Sequence, residues 1–300
     1  MCSFRTVETR GRMKFNVAFA TGESLESFVS LLKYFSTFSC DIINCTFGPD
    51  DYGVIFEGNS STNVQINCRA HVSSFFQQYS VQSRYQNLVG FQIETTAFIR
   101  ALKVQPNTTV RFQLAISNSS SGPKPLLRIM HKEGSSTDKH EITVALLIDD
   151  AIERIRTENA PDGVVGLFLP KIESVLHVAK VMLKNDPVMK LLFDRDEASL
   201  TLSTESTMVN METTFDNIAQ CDVMSEDAEA NPTIANEVPA QVKGKVHCKD
   251  IVPALDLADL RPTDVIMSFI ETGQVWLLAM LPSGSGPAQI LTVCLPRAGR

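Results

Sequence analysis

Residues 164–184, VVGLFLPKIESVLHVAKVMLK, combine two patterns that decide the fold. The short apolar run Val164–Leu169 predicts a buried strand, and Pro170 suits the first position of a helix because its missing N–H would be unpaired there anyway. Beyond the proline, apolar residues recur every three or four positions, which predicts an amphipathic helix through Lys184. The strands predicted after this helix are 188–193, 199–203 and 208–215.

The same order of elements occurs near the start of the chain. Residues 15–38, FNVAFATGESLESFVSLLKYFSTF, predict a strand, a turn with Ser24 as N-cap, and a helix over Leu25–Phe38. The strands predicted next are 42–47, 52–57 and 64–69. An offset of roughly 150 residues between the two stretches indicates two copies of one supersecondary unit.

Each copy continues with a second strand–helix–strand stretch. In the first half the predicted elements are a strand at 88–94, a helix at 95–103 and strands at 109–115, 126–131 and 140–148. In the second half they are a strand at 241–248, a helix within 250–257 and strands at 264–271, 274–280 and 289–295. Each half is therefore β-α-β-β-β, β-α-β-β-β, and its short turns favour an α+β fold of antiparallel sheets with helices on one face.

The predicted divisions of the chain are an N-terminal extension at 1–12, a first domain at 13–148, a connector at 149–163 and a second domain at 164–300. The connector carries charges of both signs. Residues 220–239 are acidic, contain two prolines and hold few residues that could pack, which predicts a flexible acidic loop. Residues 117–125 are rich in Ser, Gly and Pro, which predicts a shorter loop.

The composition excludes several classes of protein. Apolar residues make up 44% of 300 residues, as in a globular protein, and a net charge of -7 argues against a generally basic nucleic-acid binder while leaving room for one basic face. No apolar run approaches the ~18 residues of a membrane span, and residues 1–12 lack the apolar core of a secretion signal. The seven cysteines form no CxxC pair, which is typical of reduced thiols inside a cell.

No arrangement of residues indicates catalysis. The chain contains no HExxH, GxSxG, GxGxxG or phosphate-loop motif. His131 and His140 can meet across a predicted hairpin, but two ligands are too few for a metal site. We therefore expect no catalytic residue, no metal and no cofactor, and an enzyme with an undetected site is the least favoured interpretation.

Basic residues lie on one side of several predicted helices. The six residues are Lys33, Arg100, Lys103, His177, Lys180 and Lys184. At about 100° per residue, each falls on the polar side of its helix, opposite the apolar stripe. Such a surface can follow phosphates without reading bases, because lysine and arginine neutralise phosphate charge in any sequence. For any one of the six residues, the alternative to phosphate contact is a solvated position on the outside of its helix.

The double repeat resembles the Hus-type subunit of the nine-one-one DNA-damage checkpoint clamp. The similarity covers most of Met13–Pro296, and the stretches that carry it are Thr95–Leu102, Leu127–Val144, Val165–Lys184 and Glu205–Phe215. The resemblance implies a DNA-clamp fold in which subunits associate head to tail, so that an edge strand of the first domain pairs with one in the second domain of a neighbour. The implied contact residues are Glu141, Ile142, Thr143, Val144, Ala145 and Leu146 on one edge, and Met208, Val209, Asn210, Met211, Glu212 and Thr213 on the other.

The same resemblance implies the function. The chain would be a non-enzymatic subunit of a heterotrimeric ring with Rad-nine-type and Rad-one-type subunits, placed by a clamp loader on double-stranded DNA and serving as a platform for checkpoint signalling and repair enzymes. The six basic residues would face DNA, and the location would be the nucleus, and also the cytoplasm, with no membrane association. The alternative is a homotrimeric processivity clamp for a DNA polymerase.

Two features depart from the family pattern. The helix within 250–257 carries Pro253 and Asp256, and its only nearby basic residue is Lys249. A basic bore therefore gains little from it. The connector is charged, so it does not promise the apolar docking pocket of a PCNA-type clamp.

Overall fold

The computed structural model describes residues 14–19, 22–49, 52–103, 108–119, 122–157, 165–221, 239–282 and 288–299. The first half contains β1 (Lys14–Phe19), α1 (Gly22–Thr37), β2 (Ile42–Phe47), β3 (Val54–Asn59), β4 (Gln65–Ala70), β5 (Phe76–Gln82), β6 (Val89–Glu94), α2 (Thr95–Ala101), β7 (Thr109–Ser119), β8 (Gly122–Glu133) and β9 (Ser136–Thr143). Next come β10 (Ala145–Leu146) and α3 (Asp149–Thr157). The second half contains β11 (Val165–Phe168), α4 (Ile172–Met182), β12 (Val188–Asp194), β13 (Ser199–Glu205), β14 (Asn210–Phe215), β15 (Gln220–Cys221), β16 (Gln241–His247), α5 (Cys248–Leu255), β17 (Asp264–Phe269), β18 (Val275–Leu281) and β19 (Gln289–Leu295).

The strands form three antiparallel sheets. One has the order β5-β1-β7-β8-β9, another has the order β14-β13-β12-β16, and the largest has ten strands in the order β10-β6-β2-β3-β4-β19-β18-β17-β11-β15. The large sheet crosses from one half to the other where β4 pairs with β19, with Gln65 opposite Cys294 and Arg69 opposite Ile290. The predicted α+β class with antiparallel sheets is confirmed. The domain boundaries stay a prediction, because this sheet belongs to both halves.

The regularly spaced apolar residues of helix α1 form part of the hydrophobic core. Its buried residues recur at helical spacing, and Phe28 is fully buried. The Phe28 ring meets four other phenylalanine rings edge to face, with centroids 5.2–5.7 Å apart. Those four rings belong to Phe19, Phe56, Phe75 and Phe98. Edge-to-face packing adds to the hydrophobic gain, so this cluster ties α1 and α2 to the sheets beneath them.

Two hydrogen bonds join the helix layers of the two halves. The Tyr34 hydroxyl on α1 donates to the carbonyl of Ala254 on α5 at 2.9 Å. The Thr62 hydroxyl, in the turn before β4, donates to the buried carboxylate of Asp250 at 3.0 Å. The helices of one half are thereby held against the other half.

Strand β3 shows that α1 and α3 cover opposite faces of the large sheet. A Cβ on Gly58 would lie 2.6 Å from the Phe35 ring of α1, so this position faces α1. The preceding residue, Glu57, lies 3.5 Å from the Arg154 guanidinium of α3. Because neighbouring residues of a strand point to opposite faces, α3 lies on the side away from α1.

The segment predicted as a charged connector contains helix α3, an element that the sequence analysis did not identify. Ile152 and Ile155 are buried, three residues apart, and give the helix an apolar face. Asp149 and Asp150 lie in its first turn, and arginines lie in its last turn, which complements the helix dipole. The charged residues that suggested a connector therefore also stabilise a short helix. The remainder of the connector, 158–163, lies outside the described residues.

Three other expectations need correction. The prediction of a Ser/Gly/Pro loop at 117–125 is wrong, because β7 and β8 extend as a hairpin through this segment and pair Ile116 with Pro125. The Pro125 carbonyl accepts a hydrogen bond from the Val144 N–H at 3.2 Å, on the side away from β7. Because the nitrogen and the carbonyl of a strand residue point the same way, the proline costs no hydrogen bond to β7. β5 is an additional strand, unpredicted because edge strands are partly polar. Helix α1 begins at Gly22, so Ser24 is not its N-cap.

Helix α4 starts at Ile172 rather than at Pro170, and it ends at Met182, two residues before the predicted end. The predicted extension at 1–12 and most of the acidic loop, 222–238, lie outside the described residues, while Gln220–Cys221 forms β15. In the part of the chain that is described, no helix has both the length and the apolar character needed to cross a bilayer.

We predict that Gly58→Ala destabilises the protein by about 1–3 kcal/mol, because the added methyl group overpacks against Phe35 and the Cys40 sulfur, which would lie 3.2 Å away. The matched control is Gly22→Ala, where nothing lies within 4 Å of the new Cβ. Urea unfolding followed by the fluorescence of Trp276, the single tryptophan, measures both variants. Equal unfolding midpoints for the two would contradict the close approach of α1 to β3.

Candidate functional site

β9 and β14 each end a sheet, as do β5, β10, β15 and β16, so one side of each has no strand neighbour in the described part of the chain. β9 pairs with β8, and β14 pairs with β13, and neither has a second neighbour among these residues. An edge strand presents a row of backbone N–H and C=O groups that can bond another strand. β9 ends the five-stranded sheet and β14 ends the four-stranded sheet, so one of these edges lies in each half.

The β9 edge is charged. Glu141 lies between two basic side chains, with its carboxylate 3.1 Å from Arg128 and 2.5 Å from Lys139. Hydrogen bonds from Lys139 and then Arg128 hold the pKa of Glu141 below its usual range. These pairs are solvent-exposed, so they shape the surface more than they stabilise the fold.

The segment expected to be one contact strand is divided between two sheets. Glu141, Ile142 and Thr143 belong to β9, whereas Ala145 and Leu146 form β10 and pair with β6 of the large sheet. Val144 is buried between them. The prediction of one continuous edge strand over 141–148 is therefore wrong. The chain passes from one sheet to the other at Val144, whose buried side chain fixes this point.

The β14 edge begins with an apolar tip, formed by Met208 and Val209 in the turn before the strand. Their exposed fractions are 93% and 52%, unusually high for such side chains. The Ser206 hydroxyl accepts from the Val209 N–H at 3.0 Å and donates toward the Val209 carbonyl at 2.9 Å. The amide of Asn185 donates to the same carbonyl at 3.2 Å. The turn is thus fixed from within while its apolar side chains point outward.

The remaining residues predicted on this edge lie in β14 itself. Asn210, Met211, Glu212 and Thr213 pair in an unbroken register with Glu205, Thr204, Ser203 and Leu202 of β13. Their exposure alternates along the strand. Among the residues that the structure describes, no strand pairs with the outer side of β14.

The six predicted DNA-facing residues are all exposed. Lys33 lies on α1, Arg100 on α2, and His177 and Lys180 on α4. Lys103 and Lys184 follow the ends of α2 and α4. All six belong to the helix layer or its margins, but they do not form one cluster of mutual contacts.

Two of the six have neighbours that the sequence did not predict. The Lys180 ammonium lies 3.2 Å from the Asp256 carboxylate just after α5, and both side chains are about half exposed. Lys103 lies beyond the end of α2 and lines a polar pocket with His131 and His140, so it does not share the helix face of Arg100. Within the described residues, Lys33 and Lys184 take part in no ion pair.

His131 and His140 lie close together, as the hairpin predicts. Their ring centroids are 5.2 Å apart in an edge-to-face arrangement. His131 is buried, and its Nε2 lies 2.8 Å from the carbonyl of Ala101 at the end of α2. Burial lowers the pKa of His131, opposed by the hydrogen bond to that carbonyl. Among the described residues, no three His, Cys, Asp or Glu side chains are grouped to hold a metal ion.

Comparison with known proteins gives consistent matches. A family described as Hus1-like protein matches residues 13–296. A checkpoint protein hus1 homolog from Dictyostelium discoideum is 21% identical over 233 residues, which cover 76% of this chain and 81% of that protein. Checkpoint protein hus1 from Schizosaccharomyces pombe is 24% identical over 210 residues, covering 67% of this chain and 71% of that protein.

A solved structure shows the same fold. The crystal structure of Proliferating Cellular Nuclear Antigen from Entamoeba histolytica superposes with a TM-score of 0.65 at 14% identity, covering 96% of this chain and all of that one. At this identity the likeness shows the fold alone, and it confirms the predicted clamp architecture.

We predict that the pH dependence of stability depends partly on His131. Because its folded-state pKa lies below the ordinary value near 6.5, the unfolded chain takes up a proton first as the pH falls, and stability decreases between about pH 7.5 and about pH 5.5. His131→Gln should show a smaller decrease than the unsubstituted protein in urea unfolding at the two pH values. His177→Gln, which removes an exposed imidazole, is the control. An unchanged decrease in His131→Gln would contradict the lowered pKa.

Proposed function

The chain belongs to the Hus1-like family, and on that premise we propose that it is a non-catalytic subunit of a heterotrimeric ring that encircles double-stranded DNA. The ring serves as a platform for DNA-damage checkpoint signalling and for repair enzymes, mainly in the nucleus with a further cytoplasmic pool. The single observation that carries the proposal is that a clamp fold presents two unlike edge strands, β9 in the first half and β14 in the second.

Two different edges on one molecule suit head-to-tail association. A heterologous contact joins unlike surfaces, and it closes into a ring when the rotation between subunits allows it. β9 of this chain would pair with a β14-like edge of one neighbour, and β14 would pair with a β9-like edge of the other. Backbone hydrogen bonds supply the attraction, and side chains next to the edges select the partner.

The chemistry of the edges favours neighbours that are different chains. β9 carries charged side chains, whereas β14 is preceded by the apolar tip of Met208 and Val209. A copy of this chain would bring the apolar tip against a charged strand, which leaves charges without partners. The named relatives are checkpoint proteins, and no specific observation favours the homotrimeric polymerase clamp. The proposed neighbours are Rad-nine-type and Rad-one-type subunits, with a clamp loader to open the ring.

The helix layer would face DNA. Lys33, Arg100 and Lys184 are exposed there and supply positive charge despite the overall charge of -7. The ion pair with Asp256 reduces what Lys180 can contribute. Contacts of this kind are to phosphates, so binding would be independent of sequence and sensitive to salt. Loose electrostatic contact of this type permits sliding.

We predict that the purified chain alone does not form a trimer, because its two edges do not complement each other. Light scattering should give a monomer or a weak, concentration-dependent association. Co-expression with the two other clamp-type subunits should give one complex with one copy of each chain. A stable homotrimer of this chain would overturn the heterotrimeric ring.

We predict that Lys33→Gln with Lys184→Gln weakens retention of the assembled ring on circular DNA. The loss of two phosphate contacts should lower the slope of log affinity against log salt by about two. The matched control is Lys243→Gln with Lys245→Gln, two exposed lysines on β16 whose buried neighbours point toward the core. Equal retention of the two double variants would contradict a DNA-facing helix layer.

A further inference from the structure

A polar pocket opens beside the free edge of β9, and nothing in the ring function described so far uses it. His131, Glu133, Ser136, Asp138 and His140 line it. The strand register brings them together, since His131 lies opposite Asp138 and Glu133 lies opposite Ser136. Paired residues and alternate residues of antiparallel strands share one face, so all five point to the same side of the sheet.

This side is the one that the helices cover. His131 reaches the carbonyl of Ala101 at the end of α2 through its Nε2. Lys132 and Lys139 occupy the alternate positions of β8 and β9 and therefore point to the opposite face, where Lys139 pairs with Glu141. The basic side chains of the hairpin consequently do not neutralise the pocket.

The pocket offers more hydrogen-bond acceptors than donors. Because the Nε2–H of His131 is directed at a carbonyl, Nδ1 of the uncharged ring is an acceptor. Burial lowers the pKa of this ring and so favours the uncharged form. Glu133 and Asp138 add two carboxylates, and in the described part of the chain neither forms a salt bridge. Lys103 supplies one positive charge at the rim, so a net negative charge is left.

We propose, resting on the ring assembly above, that this pocket receives a basic side chain, an arginine guanidinium, from the neighbouring subunit whose strand pairs with β9. A guanidinium presents five N–H donors in a planar fork, which matches carboxylate and imidazole acceptors spread around a pocket. The pocket therefore adds a specific ionic contact to the backbone pairing of the two edges.

The position of the pocket explains why its occupant comes from the neighbour. It adjoins the edge where a second strand is expected, on the side where the neighbour's own helices would cover its sheet. Because clamp halves repeat one plan, the incoming edge would bring a helix like α4. In this chain the exposed residues at that helix include Lys180 and Lys184, so a basic side chain is chemically suitable at this place.

The test uses the full chain assembled with the two other clamp-type subunits. Asp138→Asn keeps the shape of the side chain and removes its charge. We expect association at the β9 edge to weaken by about tenfold or more, mainly through faster dissociation, with a smaller dependence on salt. The matched control is Asp264→Asn, which makes the same change at an exposed aspartate on β17, an inner strand of the large sheet. Ring association of this variant should change by less than about threefold, because Asp264 lies on neither β9 nor β14.

A second measurement identifies the occupant. A photo-cross-linker in place of Ser136 should attach to a peptide of the neighbouring subunit that contains an arginine or lysine. Replacing that residue by methionine should then add little to the effect of Asp138→Asn, because both changes remove the same contact.

Three results would overturn the proposal, and each has a different meaning. Equal effects of Asp138→Asn and Asp264→Asn in rings that otherwise assemble would reject the pocket and leave the ring intact. Cross-links only between two copies of this chain would reject the different neighbour as its occupant. Failure of the unsubstituted chain to assemble at all would reject the proposed function, and the occupant with it.

Discussion

The pairing of β4 with β19 is the contact on which the rest of the structure depends. It joins strands from the two halves, and its register from Gln65 to Arg69 extends one sheet across the molecule. Because backbone hydrogen bonds fix that register, the helix layers of both halves lie on one side, and Tyr34 and Thr62 can reach their acceptors on α5. The two free edges are then held at a fixed separation and orientation, which head-to-tail association requires.

The sequence was sufficient for the fold and for part of the site. The apolar stripes of α1 and α4 are strongly periodic, and their repetition predicted the double plan. β5 escaped prediction because an edge strand buries one side only and its sequence, FQQYSVQ, is largely polar. α3 escaped because its charges resemble those of a connector, and only Ile152 and Ile155 mark its buried face. Apolar periodicity in a sequence indicates a buried face, and β5 and α3 each bury few side chains.

Long-range contacts were beyond sequence reasoning. The ion pair between Lys180 and Asp256 joins α4 to the residue just after α5, and no spacing rule relates the two residues. The same is true of Asn185, which fixes the turn that exposes Met208 through the carbonyl of Val209. The hairpin spacing correctly predicted that His131 and His140 lie close together. The tautomer of His131 is set by the Ala101 carbonyl at the end of α2, which is not part of the hairpin. Tertiary packing thus decides which predicted groups are free to act.

The unbroken ten-stranded sheet has a mechanical consequence. A twisted sheet with every strand bonded to its neighbours resists bending, because deformation strains many hydrogen bonds at once. The chain that contains this sheet therefore deforms little under load. In a closed assembly of such bodies, elastic strain would concentrate at the seams between chains, where one strand pair and a few side chains carry the load. Opening such an assembly would require breaking a seam, and the seam with the weakest side-chain contacts would separate first.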